Sequence, residues 1–227
     1  MAERPYVLLS VATSIDGCID DITDTRLILS NDADLDRVDQ VRASCNAILV
    51  GAGTIRRDNP ALLVRSAERR NRRIVHGLPP NPVRVALTAT GDLDPAARFF
   101  TAGEGARLVY VPAASAAAIR DRFAAQPATA AAEVIGAGDP LSLDAVLTDL
   151  AGRGVRRLMV EGGGYVLAQF LAGQLADELH VAVAPIFVGD PYAPRIAADQ
   201  SGDPHHRMHL AEARLVGDMV LLRYLPS

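Results

Sequence analysis

The stretch Val160-Glu161-Gly162-Gly163-Gly164-Tyr165 constrains this chain most. Residues 158–160 are an apolar run with the length of a buried strand, and the amphipathic segment at about 165–171 reads as the helix that follows it. Three glycines therefore stand where a strand turns into a helix. Glycine admits positive φ and lets a ligand approach the main chain, while a helix N-terminus offers unpaired N–H groups and a partial positive charge. That combination suits a phosphate or pyrophosphate. It also places Glu161 at the carboxyl end of a strand, on the rim where open α/β sheets bind ligands. Taken alone, the same residues equally describe a tight turn carrying an exposed glutamate.

The remaining pattern supplies a sheet for this turn to belong to. Apolar runs of strand length occur at 6–12, 47–50, 83–87, 108–111, 133–135 and 157–160. Helical patterns lie between them: one capped by Ser30 or Asn31 through about Ser44, an alanine-rich one at 114–125, and one at 142–151 capped by Ser142. Strands alternating with helices predict right-handed crossovers and a largely parallel sheet. The end of the chain changes character: 178–184 alternates apolar and polar positions, and 209–216 and 219–225 flank Gly217-Asp218, a hairpin signal. No internal repeat or linker interrupts 227 residues, which predicts one domain over 1–227.

Two further stretches stand out. Residues 47–50 run into Gly51-Ala52-Gly53-Thr54, read as a second strand-to-glycine turn, and then into Asp58-Asn59-Pro60-Ala61-Leu62-Leu63-Val64-Arg65. The proline is expected to break any helix and to hold Asp58 in or beside a turn, outside regular structure. Residues 66–82, rich in arginine and then in proline, read as an exposed connection, with Arg69, Arg70, Arg72 and Arg73 as a solvated face.

Composition removes several function classes. A net charge of −4 gives no basic field for nucleic acid, so anion recognition has to be local. All 23 Lys and Arg residues are arginine. Lysine Schiff-base chemistry is thereby excluded, and guanidinium groups are left to bind phosphate. Cys18 and Cys45 form neither a zinc signature nor a disulfide framework. Asp20, Asp21 and Asp24 read as a solvated loop, and His205, His206 and His209 lack the spacing of a metal site, so no metal is expected. There is no Gly-x-Ser-x-Gly elbow, P-loop or His-Glu-x-x-His. The start of the chain is short and polar and no apolar run reaches spanning length, so a cytoplasmic protein without membrane contact is expected.

With these pieces in place, the sequence resembles the pyrimidine reductases of riboflavin biosynthesis. The matching residues fall in the family's order: Ser14-Ile15-Asp16-Gly17, Val41-Arg42-Ala43, 48–54, 58–65, Asn81-Pro82-Val83-Arg84-Val85, Val160-Glu161-Gly162-Gly163-Gly164, and Ala184-Pro185 with Gly189. The resemblance implies a dihydrofolate-reductase-like α/β fold, a three-layer sandwich with a mostly parallel central sheet and an antiparallel C-terminal hairpin. It implies reduction by NADPH of the ribosylamino group of a pyrimidine ribosylamine 5′-phosphate to a ribitylamino product. The deaminase half found in bifunctional relatives has no counterpart here, so a standalone reductase is expected, and family habit implies a homodimer.

Carried over by position, the resemblance implies that Gly51, Gly53 and Thr54 contact the cofactor, that Gly162, Gly163 and Gly164 hold its pyrophosphate, and that Ala12 lines the nicotinamide side. It implies that Asp58 lies between nicotinamide and sugar, that Glu161 bonds the substrate, and that Arg42 and Arg65 clamp the substrate phosphate. Thr25 and Leu62 are implied as lesser substrate contacts. Thr88-Ala89-Thr90-Gly91-Asp92 replaces a segment in which relatives carry Asp-Ser and a nearby arginine, so NADH stays open beside NADPH. Ser10 and Leu63 also depart from the family pattern. Two other readings remain: a related fold reducing another imine or pteridine, against which Arg42 and Arg65 argue, and a non-catalytic nucleotide-binding protein, against which Asp58, Glu161 and both glycine stretches argue.

Overall fold

The computed structural model describes residues 4–23, 25, 27–129, 131–196 and 207–227. Its elements run in the order β1 (Tyr6–Thr13), α1 (Asp32–Ser44), β2 (Ala47–Gly51), α2 (Ala52–Asp58), α3 (Ala67–Val75), β3 (Val83–Leu87), α4 (Arg98–Thr101) and β4 (Arg107–Val111). They continue with a 3₁₀ turn (Ala113–Ser115) leading into α5 (Ala116–Ala124), β5 (Glu133–Gly136), α6 (Leu143–Gly152), β6 (Arg157–Val160), α7 (Gly164–Ala172), β7 (Glu178–Val183), β8 (Met208–Val216) and β9 (Met219–Pro226). The strand order is β5-β4-β3-β2-β6-β1-β7-β9-β8. This is the α/β fold with a mostly parallel sheet and an antiparallel C-terminal hairpin that the sequence predicts.

The chain groups into two compact units. The first comprises residues 1–5 and 39–158. Within it β2, β3, β4 and β5 pair parallel in register, Ala47 opposite Val83 and Leu108 opposite Glu133. Its core joins Ile48 and Val50 of β2, Ile55 of α2, Leu62, and Phe99, Phe100 and Phe123. The three rings meet edge to face at centroid distances of 5.0 and 5.7 Å, the geometry their quadrupoles favour. Arg84 on β3, fully buried, donates to the carbonyls of Phe99, Ala102 and Gly103, so it closes the open end of α4.

The second unit comprises residues 6–38 and 159–227. Here β1 pairs parallel with β7, and β9 pairs antiparallel with both β7 and β8. The β8–β9 turn at Gly217 (φ 64°) is fixed by Asn31, whose amide donates to Val216 O at 3.0 Å and to the Asp218 carboxylate at 2.6 Å. The Asn31 side-chain oxygen also accepts from Asp34 N at 2.8 Å, so Asn31, of the two candidates, caps α1.

Two expectations are corrected. Residues 66–82 contain α3: Ser66 Oγ accepts from Arg69 N and starts the helix, and unbranched arginine side chains sustain it. An almost wholly polar helix has no apolar stripe to announce it. Nor are its arginines all solvated, because Arg73 is buried and donates to the carbonyls of Ala43, Cys45 and Pro79. It thereby caps the end of α1. Second, Asp58 is the last residue of a regular helix, α2, which starts directly after β2. Pro60 does end that helix, but only after Asn59 has turned into the left-handed conformation at φ 44°.

Candidate active site

The glycine stretch at 162–164 is built as the sequence reads it, with one addition. Gly162 and Gly163 have φ of 91° and 71°, which L side chains avoid, and α7 begins at Gly164. Gly164 is required for a different reason. A Cβ there would lie 2.8 Å from the carbonyl oxygen of Arg195 and 2.9 Å from Ile19 Cδ1, so the third glycine serves packing against the chain's own backbone. Glu161, at the end of β6, is half-buried. Ala12, near the end of β1, packs at the edge of a small core formed by Ala182, Ala184, Val216, Met219 and Leu221. Thr25 is exposed, and its carbonyl accepts from Thr23 Oγ1.

Beside this turn, the Ser14-Ile15-Asp16-Gly17 motif acts as a lock. The Asp16 carboxylate accepts Ser14 Oγ at 2.6 Å, Gly189 N at 2.8 Å and Val188 N at 3.1 Å. These bonds, from the Ser14 hydroxyl first and then the two amides, hold its pKa well below the ordinary aspartate value. Arg195 donates to Asp16 O, and Cys18 bridges Arg195 in antiparallel fashion. The motif therefore pins residues 188–195 against 14–19. Asp20 and Asp21 close the loop that follows by accepting main-chain amides, whereas Asp24, His205 and His206 lie outside the described residues.

In the first unit, Gly51 and Gly53 do not form the expected glycine turn. Gly51 is extended at φ −80° and Gly53 lies in the first turn of α2. What Gly53 offers is space: a Cβ there would meet nothing within 4 Å. The residue is exposed, with Thr54 next to it half-buried. Asp58, half-buried, ends the same helix, and Asn59 anchors it by accepting Arg98 N at 2.6 Å.

After Pro60 the chain enters a strongly tethered segment. Leu62 is buried at φ 52°, an uncommon conformation for a branched side chain. Arg42, in the last turn of α1, donates to Leu63 O at 3.3 Å. Asn81 Oδ1 accepts Val64 N, and Arg70 donates to Val64 O at 2.8 Å and Arg65 O at 2.7 Å. Asp39 of α1 accepts Arg65 N, Ser66 N and the Arg69 guanidinium. Burial pushes the Asp39 carboxyl up, but the bonds from Arg65 N, Arg69 and Ser66 N outweigh it and keep the group below its ordinary value. The bonds that Asp39, Arg70 and Asn81 make to this segment were not legible in the sequence, since they reach main-chain groups 5 to 27 positions away.

One sequence departure changes meaning in three dimensions. At the turn after β3, Arg122 from α5 donates to Thr90 O and Gly91 O, and Arg56 from α2 donates to Asp92 O. The turn carries arginine after all, supplied by distant helices.

These features define a class: an α/β protein with glycine-bearing backbone at the carboxyl ends of parallel strands, where open sheets of this kind receive nucleotides. Within that class the chain belongs to the RibD C-terminal domain family, whose model matches residues 5–222. It is 38% identical over 198 residues to the 2,5-diamino-6-ribosylamino-4(3H)-pyrimidinone 5′-phosphate reductase of Archaeoglobus fulgidus, covering 87% of this chain and 88% of that one. A pyrimidine reductase-like protein from Corynebacterium diphtheriae superposes with a TM-score of 0.83 at 24% identity, over 98% of this chain and 92% of that one. Dihydrofolate reductase from Enterococcus faecalis superposes with a TM-score of 0.52 at 14% identity, over 98% of this chain and 96% of that one. At these identities the two solved structures speak for the fold, which is that of dihydrofolate reductase.

Proposed function

We propose that the chain is a reductase of riboflavin biosynthesis, converting the ribosylamino group of a pyrimidine ribosylamine 5′-phosphate to the ribitylamino product at the expense of NADPH. The observation that carries this reading is the joint presence, in a RibD C-terminal domain, of Asp58 at the end of α2 and the Arg42–Arg65 pair brought to one tethered segment. One reductase domain over 1–227 is part of the same proposal, and the family match over residues 5–222 supports it.

The residues present suit a nicotinamide dinucleotide. Open space at the Gly53 Cβ position leaves room for a ligand against α2, and Gly162 and Gly163 turn with positive φ directly before the start of α7, where a helix N-terminus favours an anion. In the first unit Gly51, Gly53 and Thr54 would contact the nucleotide; in the second, Gly162, Gly163 and Gly164 would contact its pyrophosphate and Ala12 the nicotinamide. When bound, NADPH supplies the hydride that reduces C1′ of the ring-opened sugar imine. Arg122 and Arg56 at the turn after β3 favour NADPH over NADH by placing positive charge there.

The protein's own task is placement and proton movement. Arg42 and Arg65 would hold the substrate phosphate through the planar guanidinium fork. Leu62 and Thr25 would bound the substrate, and Glu161 would accept hydrogen bonds from it. Asp58 would sit beside the reacting C1′–N unit, its carboxyl stabilising the iminium charge or supplying the proton. Among the described residues no helix is long and apolar enough to cross a membrane, and a cytoplasmic enzyme is proposed. A homodimer is proposed as well: β8 ends the strand order, and Leu210 and Leu215 on it and Val220 on β9 are exposed.

The test is Asp58→Asn. With a phosphorylated ribosylaminopyrimidine as substrate, NADPH oxidation by the wild type should fall about 10²-fold or more in the variant, the scale of a lost acid–base group, while NADPH affinity stays the same. Unchanged turnover removes Asp58 from the reaction.

A further inference from the structure

Arg65 reaches its place through a segment that ordinary backbone preferences do not favour. Asn59 and Leu62 both have positive φ, at 44° and 52°. A non-glycine residue in that region is strained and persists only where its surroundings over-determine it. Here the determination comes immediately downstream. The carbonyl of Leu63, both main-chain groups of Val64, both of Arg65 and the amide of Ser66 are each bonded by a side chain. Two residues account for four of those bonds. Asp39 takes the Arg65 and Ser66 amides, and Arg70 donates to the Val64 and Arg65 carbonyls, so the Arg65 peptide is gripped on both sides.

The charges are arranged so that this grip does not oppose an anion. Asp39 is 2% exposed and its carboxylate pairs with the Arg69 guanidinium at 2.9 Å. A negative charge beside a phosphate-binding pair would repel the ligand, but Arg69 offsets it locally. Asp39 also lies one helical turn before Arg42 on α1, so the element that carries one arginine fixes the backbone of the other.

We infer that Asp39 and Arg70 are positioning residues for recognition of the substrate's phosphate: they touch neither substrate nor cofactor, and they set the distance between Arg42 and Arg65. This rests on the reading of Arg42 and Arg65 as the phosphate clamp. It predicts that loss of either tether weakens the phosphorylated substrate specifically, because a clamp with a loose jaw loses binding energy only when there is a phosphate to grip.

The experiment compares the phosphorylated ribosylaminopyrimidine with its phosphatase-treated form, in wild type, Asp39→Asn, Arg70→Met and Arg65→Ala, with NADPH affinity as the folding control. In Asp39→Asn and Arg70→Met the KM for the phosphorylated compound should rise about ten-fold, the scale of one charge-assisted hydrogen bond. Values of kcat/KM for the dephosphorylated compound and of NADPH Kd should stay at wild-type level. Added to Arg65→Ala, neither substitution should cost anything further. An equal loss on both compounds, or no loss on either, overturns the proposal. Arg70 is partly exposed, so Arg70→Met decides by the same criterion if Asp39→Asn does not fold. If Arg65→Ala abolishes phosphate preference while the two tether variants keep it, positioning alone is wrong. If Arg65→Ala keeps the preference, the clamp reading falls, and this proposal with it.

Discussion

Gly53 separates what a glycine does for the fold from what it does for a ligand. Its φ is ordinary, it sits in a helix, and a Cβ would meet nothing, so the protein itself gives no reason for glycine there. Alanine should stabilise α2 by roughly 0.5–1 kcal/mol, the usual gain for this exchange in a helix. If the nucleotide lies against this position, Gly53→Ala should raise the thermal midpoint of the free protein and weaken NADPH binding, as followed by nicotinamide fluorescence. Tighter stability with unchanged NADPH affinity would remove Gly53 from the cofactor's contacts. Gly164→Ala is the contrasting case, since its Cβ runs into the Arg195 carbonyl. The glycine pattern was legible in the sequence, but its meaning was not. Positive φ at 162 and 163, backbone approach at 164 and open space at 53 are three different physical demands that one letter conceals.

At the scale of elements, α1 connects to the sheet through buried charge. Asp34 and Arg37 pair at 2.7 Å with 1% and 6% exposure, and Arg37 Nη1 lies 3.2 Å from His180 Nδ1. His180 Nε2 lies 2.9 Å from Glu178 Oε1, which also accepts from Arg223 on β9. An arginine can only donate, so Nδ1 accepts and Nε2 carries the proton shared with Glu178. The alternation along 178–184 correctly announced a strand, yet its polar positions 178 and 180 face this network and are buried. Period-two patterns assign polar residues to solvent, and only a partner 143 positions away says otherwise. Arg37→Met should destabilise the protein by about 3–5 kcal/mol, because it leaves Asp34 buried without its cation. Urea unfolding with a loss under 1 kcal/mol would show that the pair is not a stabilising unit. The helix α3 went unread for the complementary reason: with apolar residues only at its end, its period had nothing to mark it, and its function is to bring Arg69, Arg70 and Arg73 to main-chain carbonyls and to Asp39.

For the molecule as a whole, the alternation of strands and helices and the final hairpin were sufficient to define the architecture, and motifs kept in order were sufficient to define the family. Each strand boundary falls within two residues of its sequence expectation; the parallel strands are mostly buried apolar runs of limited length, and the exposed β8 is fixed by the hairpin signal at Gly217-Asp218. The tethers around Arg65 are long-range, and no local pattern contains them. By the proposed function, this chain moves a hydride from NADPH to C1′ of a phosphorylated ribosylaminopyrimidine. The measurement that tests it most directly uses NADPH deuterated at C4 of the nicotinamide, each face labelled in turn, with the product analysed by mass and NMR. One deuterium is expected at C1′ of a ribitylamino product from one of the two labelled faces. NADPH left unconsumed, or deuterium found in the pyrimidine ring instead of at C1′, would contradict it.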